Sequence, residues 1–386
     1  MSGLSKTLAI AAGSIAGATA VLNTARVVAE RVTVKRLHNA PDEYGDEPFG
    51  HLPSDRHYTV TATDGTPLYV EEVGSLDAPV TVIFAHGYAL EMGCFHFQRI
   101  ALAQSEDPRM RLVFFDQRSH GRSARSGSEY CTIDQLGSDL EQVLHAATDP
   151  TQKVVLVGHS MGGMTIMGLA DAHPELFGKQ IKGVVLMSTS AGNLISAMRA
   201  SLPSTIVQRT LPALIRGTQL APRSIERARS LASDTAWLLT RKFSFGQKGA
   251  PASVTDYVDR MIGATPLDVV ADFYPTLAGH DKVQALAAIA KTQTLIICGD
   301  EDRVTPIEHS ELIAHELPSA GFYVVPGAGH LAMLEYPQLC NDQLLAFIRR
   351  AMKPADKKPA DKKAVDKKPV DKKSAGKKPA DKKSAA

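Results

Sequence analysis

The stretch Val154-Val155-Leu156-Val157-Gly158-His159-Ser160-Met161-Gly162-Gly163 constrains this chain more than any other. A β-branched apolar run breaks at Gly-His-Ser-Met-Gly, and apolar residues then recur at helical spacing (Met164, Ile166, Met167, Leu169). The pattern predicts a strand, a sharp corner and a helix, the setting in which G-x-S-x-G carries chemical meaning. A serine at such a corner has strained backbone, so its neighbours must be small, and Gly158 and Gly162 supply that need. The strand end pushes Ser160 Oγ clear of the sheet, and the helix start turns free N–H groups toward whatever Ser160 attacks.

The flanking sequence extends this unit into an α/β pattern. His57–Thr63 and Pro67–Val73 alternate around Asp64-Gly65, a tight-turn pair, which predicts an antiparallel hairpin. Buried strands are expected at Thr81–Ala85, Arg111–Phe115, Gly183–Met187, Thr294–Cys298 and Phe322–Val325. Helices are expected at Glu91–Ala103, Thr132–Ala147 and Tyr336–Met352. Such alternation implies a mostly parallel central sheet with helices on both faces. It breaks between residues 191 and 280, where apolar patches have helical spacing and no strand run occurs, so this part reads as an α-helical lid insertion. The core then comprises residues 37–190 and 281–352.

A serine is a poor nucleophile without a base, an orienting acid and an oxyanion site. Among thirteen histidines, His330 follows a strand in the Gly-rich run Val325-Pro-Gly-Ala-Gly-His, late in the chain as the order Ser, acid, His requires. His86 and His159 border backbone turns and read as structural. His309 and His315 fall on a helix, with a solvated face expected. The acid belongs just past the preceding strand, where Gly299-Asp300-Glu301-Asp302 offers three carboxylates. Asp302 fits the loop tip best and Asp300 is the alternative acid; Glu301 is expected to point away. No carboxylate occurs in Ser188–Asn193, which excludes an acid after the strand before the insertion. For the oxyanion hole, backbone N–H donors are expected from Met161 at the helix start and Tyr88 after His86-Gly87.

These pieces together make the chain resemble the α/β-hydrolase family, in particular its lidded lipase/esterase and cofactor-free haloperoxidase-like branch. The shared motifs are His86-Gly87, Asp116-Gln-Arg-x-His-Gly-Arg-Ser123, Gly158-His-Ser-Met-Gly-Gly163, Gly299-x-x-Asp302-x-x-x-Pro306 and Gly329-His330, in family order across residues 57–350. The resemblance implies an α/β-hydrolase fold with Ser160, Asp302 and His330 as its triad. It also implies a serine hydrolase that cleaves carboxylic esters or thioesters, of lipid-like type among others, through an acyl-enzyme. Haloperoxidase or perhydrolase chemistry on the same triad is the alternative. One departure is Ser119, where the family usually has glycine.

Charge separates the ends from the body. The net charge of +2 combines +8 on residues 353–386 and +4 on residues 1–36, which leaves −10 on the remainder. Residues 7–22 are uncharged and apolar or small, between Lys6 and Arg26, and three readings compete. They are a membrane-associated anchor leaving the body cytoplasmic, a cleaved export signal ending near Ala18-Thr19-Ala20, or a plain Ala-rich helix. From Lys353 the chain repeats Pro-Ala-Asp-Lys-Lys and variants without an aromatic, a composition expected to stay disordered. This tail would attract polyanions or anionic membranes by charge alone, which gives a reading of another class, a polyanion- or membrane-binding protein acting through its tail. Without interleaved aromatics no specific nucleic-acid recognition is expected. Four dispersed cysteines form no C-x-x-C pair, and no metal cluster or dinucleotide fingerprint is present, so no metal and no cofactor are expected.

Overall fold

A computed structural model describes residues 26–194 and 233–353. The hairpin forms as expected: β1 (Arg56–Thr61) pairs antiparallel with β2 (Pro67–Val73). Six further strands follow, β3 (Val80–Ala85), β4 (Met110–Phe115), β5 (Val154–His159), β6 (Ile181–Met187), β7 (Gln293–Gly299) and β8 (Gly321–Val325). They make one eight-stranded sheet in the order β1-β2-β4-β3-β5-β6-β7-β8. β2 meets β4 antiparallel, and every pairing from β4 to β8 is parallel.

The central strands read as unbroken apolar runs because both of their faces are covered. On one face, Val82, Phe84, Val157 and Ile297 pack against Phe95, Leu344 and Phe347. On the other, Ile83, Val113, Leu156 and Leu186 pack against Leu140, Leu144, Ile166 and Leu169. Helix α1 (His96–Ala103) and the terminal helix Pro337–Met352 therefore lie on one side, with α2 (Ile133–Ala147) and α3 (Met161–Ala172) on the other. Thr132 caps α2 by accepting from the Gln135 N–H at 3.1 Å. The helix expected from Glu91 instead opens as a 3-10 turn, Met92–Phe95, before α1 begins. Its Met92 N–H is held by Asp116 Oδ1 at 2.8 Å, which ties the first turn to the end of β4.

The region inserted between β6 and β7 contains three described helices, α4 (Ser233–Ser244), α5 (Ala252–Ala264) and α6 (Leu267–Ala278). Its two ends meet at a neck where Lys282 N–H donates to Ala191 O at 2.7 Å and Gly192 bridges Asp281. The arginines at 199, 209, 216, 223, 227 and 229 lie outside the described residues, as do residues 1–25 with their apolar run and the tail beyond Lys353. Residues 26–38 are helical. Among the described residues no helix is long and apolar enough to cross a membrane.

Candidate active site

Ser160 lies between β5 and α3 with φ 52° and ψ −117°, a region that side chains avoid. Such strain costs roughly 1–3 kcal/mol and persists only where the surroundings impose it. Here Ser160 N–H donates to Met187 O at 2.9 Å on β6, and Ser160 O accepts from Thr189 Oγ1 at 2.6 Å. The glycines act at close approach rather than through φ. A Cβ on Gly158 would enter the Gly162 backbone, and one on Gly162 would enter the carbonyl of Ala85 at the end of β3. The corner is thus pressed against its own helix and the neighbouring strand.

The loop after β7 aims Asp302. Its Oδ1 accepts from the N–H groups of Val304 (2.8 Å) and Thr305 (2.9 Å), and its Oδ2 accepts from Thr305 Oγ1 (2.9 Å). Oδ2 also lies 2.9 Å from His330 Nδ1. Burial pushes the Asp302 pKa up, but the His330 charge and hydrogen bond and the two backbone donors outweigh it and hold the carboxyl below its usual value. Asp300 and Glu301 turn elsewhere. Asp300 Oδ1 accepts from Gly327 N–H at 2.6 Å, while Glu301 accepts from Gln247 N–H of the insertion.

His330 is held from three sides. Asp302 takes Nδ1, and Thr305 Oγ1 lies 3.3 Å from the same nitrogen. Its carbonyl accepts from His159 Nε2 at 3.0 Å. Burial lowers the His159 pKa to about 3, so the ring stays neutral and serves as a fixed donor. Beneath the loop, the Glu335 carboxylate accepts from Gly329 N–H at 2.8 Å and from Gly246 N–H of the insertion at 3.0 Å.

Ser160, His330 and Tyr88 line one cavity of about 310 Å³, with Leu90 and Leu331 from the core and Leu239, Phe243 and Ile262 from the insertion. The backbone N–H groups of Tyr88 and Met161 have no acceptor among the described residues. The loop that presents Tyr88 is braced by groups that sequence reasoning did not single out. Gln117 N–H donates to His86 Nε2 (2.9 Å), Gln117 Nε2 donates to His86 O (2.6 Å), and Thr165 Oγ1 donates to Gln117 Oε1 (2.6 Å). Ala89, at φ 56°, donates its N–H to His120 Nε2 at 3.2 Å. Burial lowers His86 to about 3 and His120 to about 4, keeping both rings neutral acceptors.

One expectation needs revision. His309 is not solvated: it is buried, and its Nδ1 lies 2.8 Å from Ser190 Oγ because its helix packs that face against the loop after β6. His315, on the same helix, is exposed as expected. Ser119 takes φ 65°, which explains a glycine preference there, and its N–H still closes the loop on Ala124 O at 3.0 Å. Thr305, which touches both Asp302 and His330, was readable only as part of the Asp-x-x-Thr-Pro turn. The four cysteines are free and buried, and no group of three or more metal-ligand side chains occurs among the described residues.

Residues 80–337 match the family described as alpha/beta hydrolase fold. The mouse sn-1-specific diacylglycerol lipase ABHD11 is 26% identical over 273 residues, covering 69% of this chain and 80% of the lipase. A non-heme haloperoxidase of Rhodococcus erythropolis is 27% identical over 294 residues, covering 75% and 98%. A thermophilic esterase from Thermogutta terrifontis superposes with a TM-score of 0.59 at 23% identity, over 77% of this chain and all of the esterase. With that match over most of its length, and an eight-stranded sheet that ends its central strand in Gly-His-Ser-Met-Gly, the chain belongs to the alpha/beta hydrolase family.

Proposed function

We propose that the protein is a serine hydrolase of carboxylic esters, with Ser160 as nucleophile, His330 as base and Asp302 as the acid that orients it. The observation that carries this reading is the 2.9 Å contact between His330 Nδ1 and Asp302 Oδ2, in a histidine that shares a cavity with the strained Ser160. With Nδ1 occupied, Nε2 is the nitrogen left to take the Ser160 proton. Ser160 Oγ attacks the acyl carbon, and the Tyr88 and Met161 amides stabilise the oxyanion that forms. Protonated His330 returns the proton to the departing alcohol, leaving an acyl-enzyme, and water activated by the same imidazole releases the acid.

The cavity lining supports an uncharged, apolar acyl group. Tyr88, Leu90, Leu239, Phe243, Ile262 and Leu331 surround the serine, and among the described residues no carboxylate, lysine or arginine lines the space. A volume of about 310 Å³ falls at the low end of the range for small-molecule sites, roughly 300–1,000 Å³, which favours short to medium chains. The test combines a fluorophosphonate probe with p-nitrophenyl esters of increasing chain length. Wild-type protein should be labelled and Ser160→Ala should not; labelling that persists in the variant refutes the assignment. Hydrogen peroxide in the same assay addresses perhydrolysis, which the haloperoxidase relative brings into view.

A further inference from the structure

The helix of residues 26–38 contacts the insertion by one side, and no described residue covers the other. Glu30 accepts from Thr235 Oγ1 at 2.6 Å, Arg31 approaches Asp234 at 3.6 Å, and His38 lies 3.1 Å from Asp256. His38 also contacts the Trp237 ring at 5.2 Å, and Trp237 Nε1 donates to that same Asp256 at 2.6 Å. The half-buried positions Glu30, Val34 and Leu37 share one side of the helix. At 100° per residue, Val28, Val32 and Lys35 fall on the opposite side, with Arg31 and Arg36 flanking them. Val27, Val28 and Val32 are 51%, 57% and 62% exposed, which is unusual for three valines in two turns. Lys35 and Arg36 have no ion-pair partner among the described residues.

We propose that this valine face, bordered by basic side chains, docks on an anionic lipid bilayer. Apolar residues that enter the headgroup boundary, flanked by cations that attract acidic lipid, define an interfacial helix. The charge argument favours lipid over a second copy of this chain: the side chains bordering the valines are cationic, so two copies facing each other would repel. In sequence the uncharged run 7–22 precedes this helix by three residues. Docking has a consequence for the catalytic cavity, because helix α4, which residues 26–38 pack on, carries Leu239, Thr240, Phe243 and Ser244 of its wall. Leu239 is itself 49% exposed. A bilayer held against residues 26–38 therefore lies one helix away from the element that forms the cavity rim.

Trp237, the only tryptophan, lies under this helix, so the test reads the exposed position Ala29 instead, as Ala29→Cys carrying an environment-sensitive fluorophore. Full-length labelled protein is mixed with vesicles of phosphatidylcholine and phosphatidylglycerol carrying brominated acyl chains, and the fluorescence of the label is read. Quenching is expected in the wild type and is lost in Val28→Asp/Val32→Asp, whatever else tethers the chain. Lys35→Ser and Arg36→Ser should each weaken docking about fivefold, and neutral vesicles should show little. An ester dissolved in the vesicles should be cleaved at least tenfold more slowly by the double aspartate variant, while a water-soluble ester is cleaved at the wild-type rate. Absent quenching in the wild type, or equal quenching in the variant, overturns the proposal. The fluorescence readout does not use catalysis, so failure of the ester reading leaves this test intact.

Discussion

Replacing Asp302 by asparagine tests the proposed orienting role of its carboxylate, because both of its backbone contacts survive. The Val304 and Thr305 N–H groups both donate to Oδ1, an oxygen that the asparagine side chain keeps, so the loop retains its turn. What changes is Oδ2, the atom that faces His330 Nδ1 and Thr305 Oγ1 at 2.9 Å each, which becomes an N–H₂ donor to which the Thr305 hydroxyl can turn as acceptor. The imidazole must then accept at Nδ1 and carry its proton on Nε2, where it cannot take one from Ser160. In serine proteases the equivalent change lowers kcat by about 10⁴, or about 5.4 kcal/mol at 1.36 kcal/mol per tenfold. A similar loss is expected here on a p-nitrophenyl ester, with KM within about threefold because the cavity wall is untouched. Thermal melting provides the folding control. The parallel variant Asp300→Asn changes a carboxylate whose Oδ1 contact is with Gly327 N–H, and it should keep most of the activity. If Asp302→Asn retains a tenth of wild-type kcat, or if Asp300→Asn is the variant that fails, the assignment of the acid is wrong.

Two further predictions concern stability. Gly162→Ala drives a Cβ into the Ala85 carbonyl at the end of β3, so the corner must open; a loss of about 1–3 kcal/mol is expected by urea melting, together with lost activity. Arg118→Met strands Asp64 and Asp139, which the fully buried guanidinium pairs at 2.8 and 2.6 Å, and should cost about 3–5 kcal/mol. The Arg118–Asp64 pair contributes to the acid limb of the wild type, whereas burial pushes the Asp139 carboxyl up. Arg118 holds the Asp64 pKa well below its unfolded value of about 3.9, so its stabilisation is present above that pH and disappears as pH falls toward the folded value. The variant's melting temperature should accordingly depend less on pH below about 4 than the wild type's does.

Strand positions were legible in the sequence because the central strands are buried on both faces and admit only apolar residues. The runs that became β3 and β5 could be read without knowing their neighbours. The elbow was legible for a different reason, since backbone packing on both sides of Ser160 excludes any Cβ at Gly158 and Gly162. Asp302 and Asp300 could be ranked but not separated from sequence, because only the direction of each carboxylate distinguishes them. The missed groups are all indirect. Gln117, His120 and Thr165 brace the loop that presents Tyr88, and their side chains act through partners 31 or more residues away. His309 was misread because a helix of low amphipathicity gives no sign of which polar side meets a neighbouring loop.

The substrate is the part least determined by the catalytic residues, and the geometry explains why. Ser160, Asp302 and His330 stand on loops that follow β5, β7 and β8, and the sheet register sets the spacing of those loops. The register fixes where those loops stand, and the side chains on them decide the chemistry. The cavity wall is different: Leu239, Thr240, Phe243, Ser244 and Ile262 all come from the insertion. That insertion is nonetheless not independent of the chemistry. Gly246 N–H shares the Glu335 carboxylate with Gly329 N–H, Leu331 N–H donates to Ser244 O at 2.8 Å, and Arg303 donates to Lys242 O at 2.7 Å. The end of α4 is thus hydrogen-bonded to both loops that carry His330 and Asp302, the proposed base and acid. A displacement of α4, by a bulky acyl chain or by a surface pressing on residues 26–38, is transmitted to Gly329 and Arg303, each next to a catalytic side chain. On the proposed chemistry, Phe243→Ala is therefore expected to change kcat as well as KM on p-nitrophenyl esters, because α4 is hydrogen-bonded to the loop that carries His330.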